Sequence, residues 1–149
     1  MLNEGLEVLG EDELIPDDDW YSGVFEKSGL RDVRFPSTLK RIEYGAFAGC
    51  RNLKAVCFPK ELEYLGVGCF SKTGLKNVEF PASLRTISQG SFSNCESLKT
   101  ARFAEGLKVL GTDERLDNGA GSYGTFEKSA LESVQLPSTL KKIKNGAFA

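Results

Sequence analysis

Between Gly10 and Gly23 the chain reads GEDELIPDDDWYSG, with Glu11, Asp12, Glu13, Asp17, Asp18 and Asp19 crowded ahead of Trp20 and Tyr21. Paired acids can share general acid and base work, and several converging oxygens can hold a hard cation such as calcium. The calcium spacing D-x-D-x-D-G is absent, however, because the three aspartates are adjacent rather than alternating. Histidine is missing from the whole chain. That removes histidine triads, His-containing zinc sites and any side-chain base with an unperturbed pKa of about 6.5. Cys50, Cys57, Cys69 and Cys95 contain no C-x-x-C pair, so neither a zinc ribbon nor a redox motif is supported. The sequence therefore assigns no catalytic residue, no cofactor and no metal, and the chain reads as a non-enzyme.

The bulk properties agree with a binding or structural role. The 149 residues, 40% apolar and 27% charged, suffice for one folded domain with a sizeable core. A net charge of -2 makes no field that would select nucleic acid or an anionic membrane. No apolar run approaches the roughly 20 residues of a membrane span, and MLNEGLEVLG is not a secretory signal.

The elements that must position any site come from a repeat. From Leu30 the chain reads LRDVRFPSTLKRIEYGAFAGCRN, and the pattern restarts at Leu53, Leu75, Leu98 and Leu131, at spacings of 23, 22, 23 and 33 residues. Its consensus is L-x-x-V-x-F-P-x-x-L-x-x-I-x-x-G-A-F-x-x-C-x-x. A period of this size marks a stack of turns, none of which can bury its own apolar side alone. Short forms of the segment before each restart, FEKSG, FSKTG and FEKSA, alternate with the long forms FAGCRN and FSNCES. Residues 4–48 align without a gap on 105–149, so the acidic stretch has a sister in GTDERLDNGAGSYGT at 111–125. Asp113, Glu114 and Asp117 are the acids that sister keeps. Both stretches read as loop insertions in otherwise ordinary turns.

L-x-x-V-x-F has strand spacing and predicts parallel strands at 30–35, 53–58, 75–80, 98–103 and 131–136. The L-x-x-I pair points inward again, and a phenylalanine column closes each turn from the far side. Segments such as YGAFAGC predict one helical or 3₁₀ turn. The pattern resembles the BspA-like, or Treponema pallidum-type, class of leucine-rich repeats over essentially the whole chain. That resemblance implies a leucine-rich repeat solenoid with a parallel β-sheet on one face, turns and short 3₁₀ or helical segments on the other, and two long loop insertions. It implies a recognition scaffold without catalysis, in a class that includes adhesin-like bacterial surface proteins. Residues 1–149 form a single domain of about six turns, read as part of a longer array.

Solvent-facing strand residues then form columns. Arg34, Cys57, Glu79, Arg102 and Gln135 make the inner column; Arg31, Lys54, Lys76 and Lys99 make a basic one that ends at Glu132. Stacked cations repel, and an acidic protein segment would relieve them. The plain alternative is lysine stems covering apolar surface. Trp20 and Tyr21 suit an interface anchor or a clasp folded back on the flank. The expected partner is a protein, with end-to-end self-association or attachment to a larger complex as the second possibility, and with neither nucleic acid nor membrane insertion.

Overall fold

The computed structural model describes residues 2–10, 23–111, 124–144 and 147–148. Among them lie nine short strands: β1 (Val8–Leu9), β2 (Arg41–Ile42), β3 (Tyr64–Leu65), β4 (Asn77–Phe80), β5 (Thr86–Ile87), β6 (Thr100–Phe103), β7 (Val109–Leu110), β8 (Ser133–Gln135) and β9 (Lys142–Ile143). Every pairing is parallel and joins one turn to the next, so the 23-residue period is a stacking period.

Each turn carries two bonded segments rather than one. The L-x-x-I pairs, anticipated only as an inward pair, form a ladder of their own in the order β1-β2-β3-β5, and β7 pairs with β9. Its inner row is Leu9, Ile42, Leu65 and Ile87, with Leu110 continuing beyond. The L-x-x-V-x-F segments form a second sheet in the order β4-β6-β8.

That second sheet is shorter than its sequence pattern. Residues 30–35 and 53–58 are extended but not strands, so two of the five expected strands are missing. The ladder exists where Ala101 interrupts the inward valines, pairing Val78 with Ala101 and Ala101 with Val134. The phenylalanine rings are also closest there: Phe35–Phe58 is 6.1 Å and Phe58–Phe80 is 5.6 Å, while Phe80–Phe103 closes to 4.4 Å.

The core is a pair of phenylalanine columns. Phe25, Phe47, Phe70, Phe92, Phe126 and Phe148 stack face to face at 5.0 to 5.6 Å. Phe35, Phe58, Phe80 and Phe103 form the second column and meet the first edge-on, as at Phe58–Phe70 and Phe80–Phe92, both 5.5 Å. Offset stacks and edge contacts are the two arrangements the ring quadrupole favours.

The expected helical or 3₁₀ turn behind this column does not form; among the described residues there is no helix. The reason lies in the amides. Ala48 and Cys50 donate back to Gly45 and Phe47 within their own turn, but Phe47 and Gly49 donate across to Cys69 and Ser71. A helix needs all four bonds inside one segment. Left-handed residues enforce the alternation, with φ of 58° at Gly45 and 74° at Gly49. Lys27, Lys72, Asn94 and Lys128 hold the place of Gly49 in the other turns and are left-handed too.

The alternation of short and long forms also has a bonding basis. Cys50 and Cys95, present only in long forms, donate from Sγ to the carbonyls of Phe25 and Phe70 in the preceding short form, at 3.0 and 3.1 Å. Ser28 and Thr73 lie within 3.4 and 3.3 Å of the same sulfurs.

The two turns with insertions are laced at their corners. Glu105 accepts from the Ser138 amide at 3.0 Å, the Ser138 hydroxyl at 2.9 Å and the Thr139 amide at 3.1 Å. Glu4 repeats part of this with Ser37 at 3.2 Å. The backbone and hydroxyl donors on Ser138 hold the Glu105 carboxyl below its ordinary value of 4.5. In that range the folded state binds fewer protons than the unfolded state, so stability rises with pH. The contribution is complete above the ordinary value and is lost as pH falls through the lowered one. Thermal melts between neutral and acid pH should therefore show a shallower acid decline for Glu105→Gln than for wild type.

Candidate functional site

The sheet β4-β6-β8 turns its polar residues outward by simple alternation, with Val78 and Phe80 buried and Asn77 and Glu79 exposed. Parallel register lines these residues up across turns: Asn77 with Thr100 and Ser133, Glu79 with Arg102 and Gln135. Thr100 donates to the Asn77 side-chain oxygen at 2.7 Å. Arg102 and Glu79 stand 3.7 Å apart with both side chains mostly in water, a pair that screening leaves with little energy.

The basic column is also continuous. The Lys76 amide donates to the Lys54 carbonyl at 3.3 Å, Lys99 to Lys76 at 2.8 Å and Glu132 to Lys99 at 2.9 Å. Glu132 ends it by pairing with the Lys99 ammonium at 2.6 Å. Arg31 is exposed ahead of Lys54, in the stretch where no strand forms.

Arg34 and Cys57 come together on a different feature. The unladdered segments leave a recess of about 620 Å³ between them, lined by Val33, Arg34, Phe35, Cys57, Phe58 and Pro59 among others. Nothing in the period announces this recess, since 30–35 and 53–58 carry the same pattern as 75–80. Trp20 and Tyr21 lie outside the described residues, as do most of both insertions.

The cysteines divide by burial. Burial pushes the Cys69 thiol well above its ordinary range and raises the Cys95 thiol too, so both stay protonated and inert. Cys50 is buried and bonded as described, and Cys57 is exposed. No group of three or more cysteine or carboxylate side chains among the described residues converges on a metal position. No helix among them is long and apolar enough to cross a membrane.

Sequence reasoning missed a second cluster, on the flank where the phenylalanine turns lead into the strands. Arg51, Lys54 and Lys72 surround a cavity of about 310 Å³ with Thr73, Gly74, Asn94, Glu96 and Ser97. Its signal was a short form, 70–74, lying between two long ones.

Stacked parallel turns with an inward leucine, valine and phenylalanine each define a leucine-rich repeat protein. Residues 19–114 and 121–149 match the model of the BspA type leucine rich repeat region in six copies, and the chain belongs to that family. It is also similar to a solved leucine-rich repeat protein from Bacteroides ovatus ATCC 8483, with 29% identity and a TM-score of 0.65. The match covers 84% of this chain but 30% of that one, so this chain spans under a third of the length of that protein. Comparison with curated proteins gives no match. Leucine-rich repeats of this kind serve in general as protein-recognition or adhesion scaffolds, and they are typically non-catalytic.

Proposed function

We propose that the chain is a non-catalytic recognition segment of a solenoid, which docks a protein partner on its strand face in an adhesin-like manner. The observation that carries this reading is the register of exposed polar side chains, Glu79, Arg102 and Gln135 beside Lys54, Lys76 and Lys99. A flat, repeating array of both charge signs suits a protein surface better than a polyanion, which would want one sign throughout. The recess at Arg34 and Cys57 extends the same face with apolar contact area. Trp20 and Tyr21 belong to the proposal as anchors on the first insertion.

The test is charge reversal. Proteins retained by the immobilised wild-type chain should be released by Arg34→Glu/Arg102→Glu and kept by Lys128→Glu, which reverses a cation on the phenylalanine side. Equal retention by all three would refute a strand-face site.

A further inference from the structure

The cation cluster on the flank follows from a one-residue difference between neighbouring turns. Phe47 is six residues from Leu53 and Phe92 is six from Leu98, but Phe70 is five from Leu75. The three turns run flush up to that point, since Gly49 donates to the Ser71 carbonyl at 2.8 Å and Lys72 to the Ser93 carbonyl at 2.9 Å. Beyond it the short form takes the inner path. Thr73 and Gly74 are buried, and the long forms on either side stand proud as walls. The result is a notch with Thr73 and Gly74 as floor, Arg51 on one wall, and Asn94, Glu96 and Ser97 on the other.

The notch is lined by an excess of positive charge. Lys54 lies across Gly74 and donates to the Arg51 carbonyl at 3.0 Å, and a Cβ at residue 74 would fall 2.6 Å from the Lys54 ammonium nitrogen. Gly74 therefore leaves the space in which this ammonium is seated. Lys72 is held in a left-handed conformation, φ 55°, at the notch edge. Among the described residues, none of Arg51, Lys54 and Lys72 makes an ion pair. Glu96 is the one carboxylate in the lining, so three cations face it.

We propose that this notch receives the carboxylates of an acidic peptide segment in a protein partner, with Arg51 and Lys72 as the clamping cations and Lys54 as the seated one. Arginine suits a carboxylate through its fork of donors, and lysine adds a mobile point charge. Asn94 and Ser97 supply neutral donors for the remaining oxygens or for the peptide backbone. Lys54 also belongs to the basic column of the strand face, so a segment lying along Lys54, Lys76 and Lys99 can turn its acidic end into the notch. The assignment rests on the protein-recognition reading above and names the chemistry of the partner.

Fluorescence anisotropy with a labelled hexaglutamate peptide tests it at low ionic strength. Wild type should bind saturably and lose affinity with added salt. Arg51→Ala/Lys72→Ala should weaken binding by at least about tenfold, whereas Glu96→Gln should tighten it about threefold. At about 0.15 M salt, where screening acts over about 8 Å, Arg34→Glu/Arg102→Glu should stay within about threefold of wild type, because neither residue lines the notch. Arg51, Lys72 and Glu96 are all exposed, and circular dichroism melts of each variant should overlay wild type. Absent binding by wild type, or undiminished binding by Arg51→Ala/Lys72→Ala, overturns the proposal. Loss confined to Arg34→Glu/Arg102→Glu also overturns it, while leaving strand-face recognition standing. Tighter binding of an oligothymidylate of equal charge would overturn the choice of an acidic peptide.

Discussion

Phe70→Ala should lower the unfolding free energy by about 4 kcal/mol, the middle of the range for deleting a buried aromatic. Phe70 is fully buried, with Phe47 stacked 5.0 Å away on one face and Phe92 5.5 Å away on the other. The edge of Phe58 closes the third side at 5.5 Å. Those neighbours cannot collapse into the space, because each is held by a ring beyond it, and the Phe47 and Phe92 amides also donate to the Cys69 and Thr125 carbonyls, both at 2.8 Å. The loss therefore comprises transfer, ring contact and an unrelaxed cavity together. It also falls in the middle of a stack in which each turn touches only its neighbours. Urea titration followed by circular dichroism should show the midpoint fall and the transition broaden, as the two halves begin to unfold separately. Phe148→Ala is the comparison: that ring has one partner, Phe126, and is 43% exposed, so its loss should cost about 1 kcal/mol or less.

Phe70 also shows what sequence can and cannot disclose about this fold. A side chain that recurs at one period must lie in one column, so both aromatic columns and the outward rows of Glu79, Arg102 and Gln135 are legible in the repeat alone. Pairing is not, because it depends on what the adjacent turn carries. Residues 53–58 and 75–80 have the same L-x-x-V-x-F signature, yet only the second pairs as a strand, with the segment that carries Ala101. The helical reading of YGAFAGC failed for a related reason. Local propensity assumes that amides bond within their own segment, and here every second one bonds to the next turn. The two-residue strands β2, β3 and β5 are too short for alternation to mark at all. For the candidate site, exposure of the strand columns was legible from period-two alternation. The recess at Arg34 and the notch at Arg51 were not: the first lies between segments of the same pattern, and the second comes from a one-residue difference between consecutive turns.

Gly74→Ala should cost about 3 kcal/mol, although it adds one methyl group at a surface turn. The added Cβ would lie 2.2 Å from the Arg51 carbonyl oxygen, a backbone atom that cannot rotate away. Arg51 is itself fixed by donating to the Gly49 carbonyl at 2.8 Å, and Gly49 donates to Ser71, so the displacement must spread into both turns. The same change at Gly29 meets nothing within 4 Å and should be neutral or stabilise by about 0.5 kcal/mol through the unfolded chain. Ala130 already occupies the corresponding place in the last short form. Equivalent positions in one repeat thus differ by their setting: a Cβ at residue 74 meets the Arg51 carbonyl of the preceding long form, whereas one at residue 29 meets open space. Thermal melts of the two variants compare the settings directly. Equal stability in both would mean that the short form at 70–74 is not recessed beneath Arg51. A large loss confined to Gly74→Ala would tie the walls of the notch to the one-residue difference in turn length that creates it.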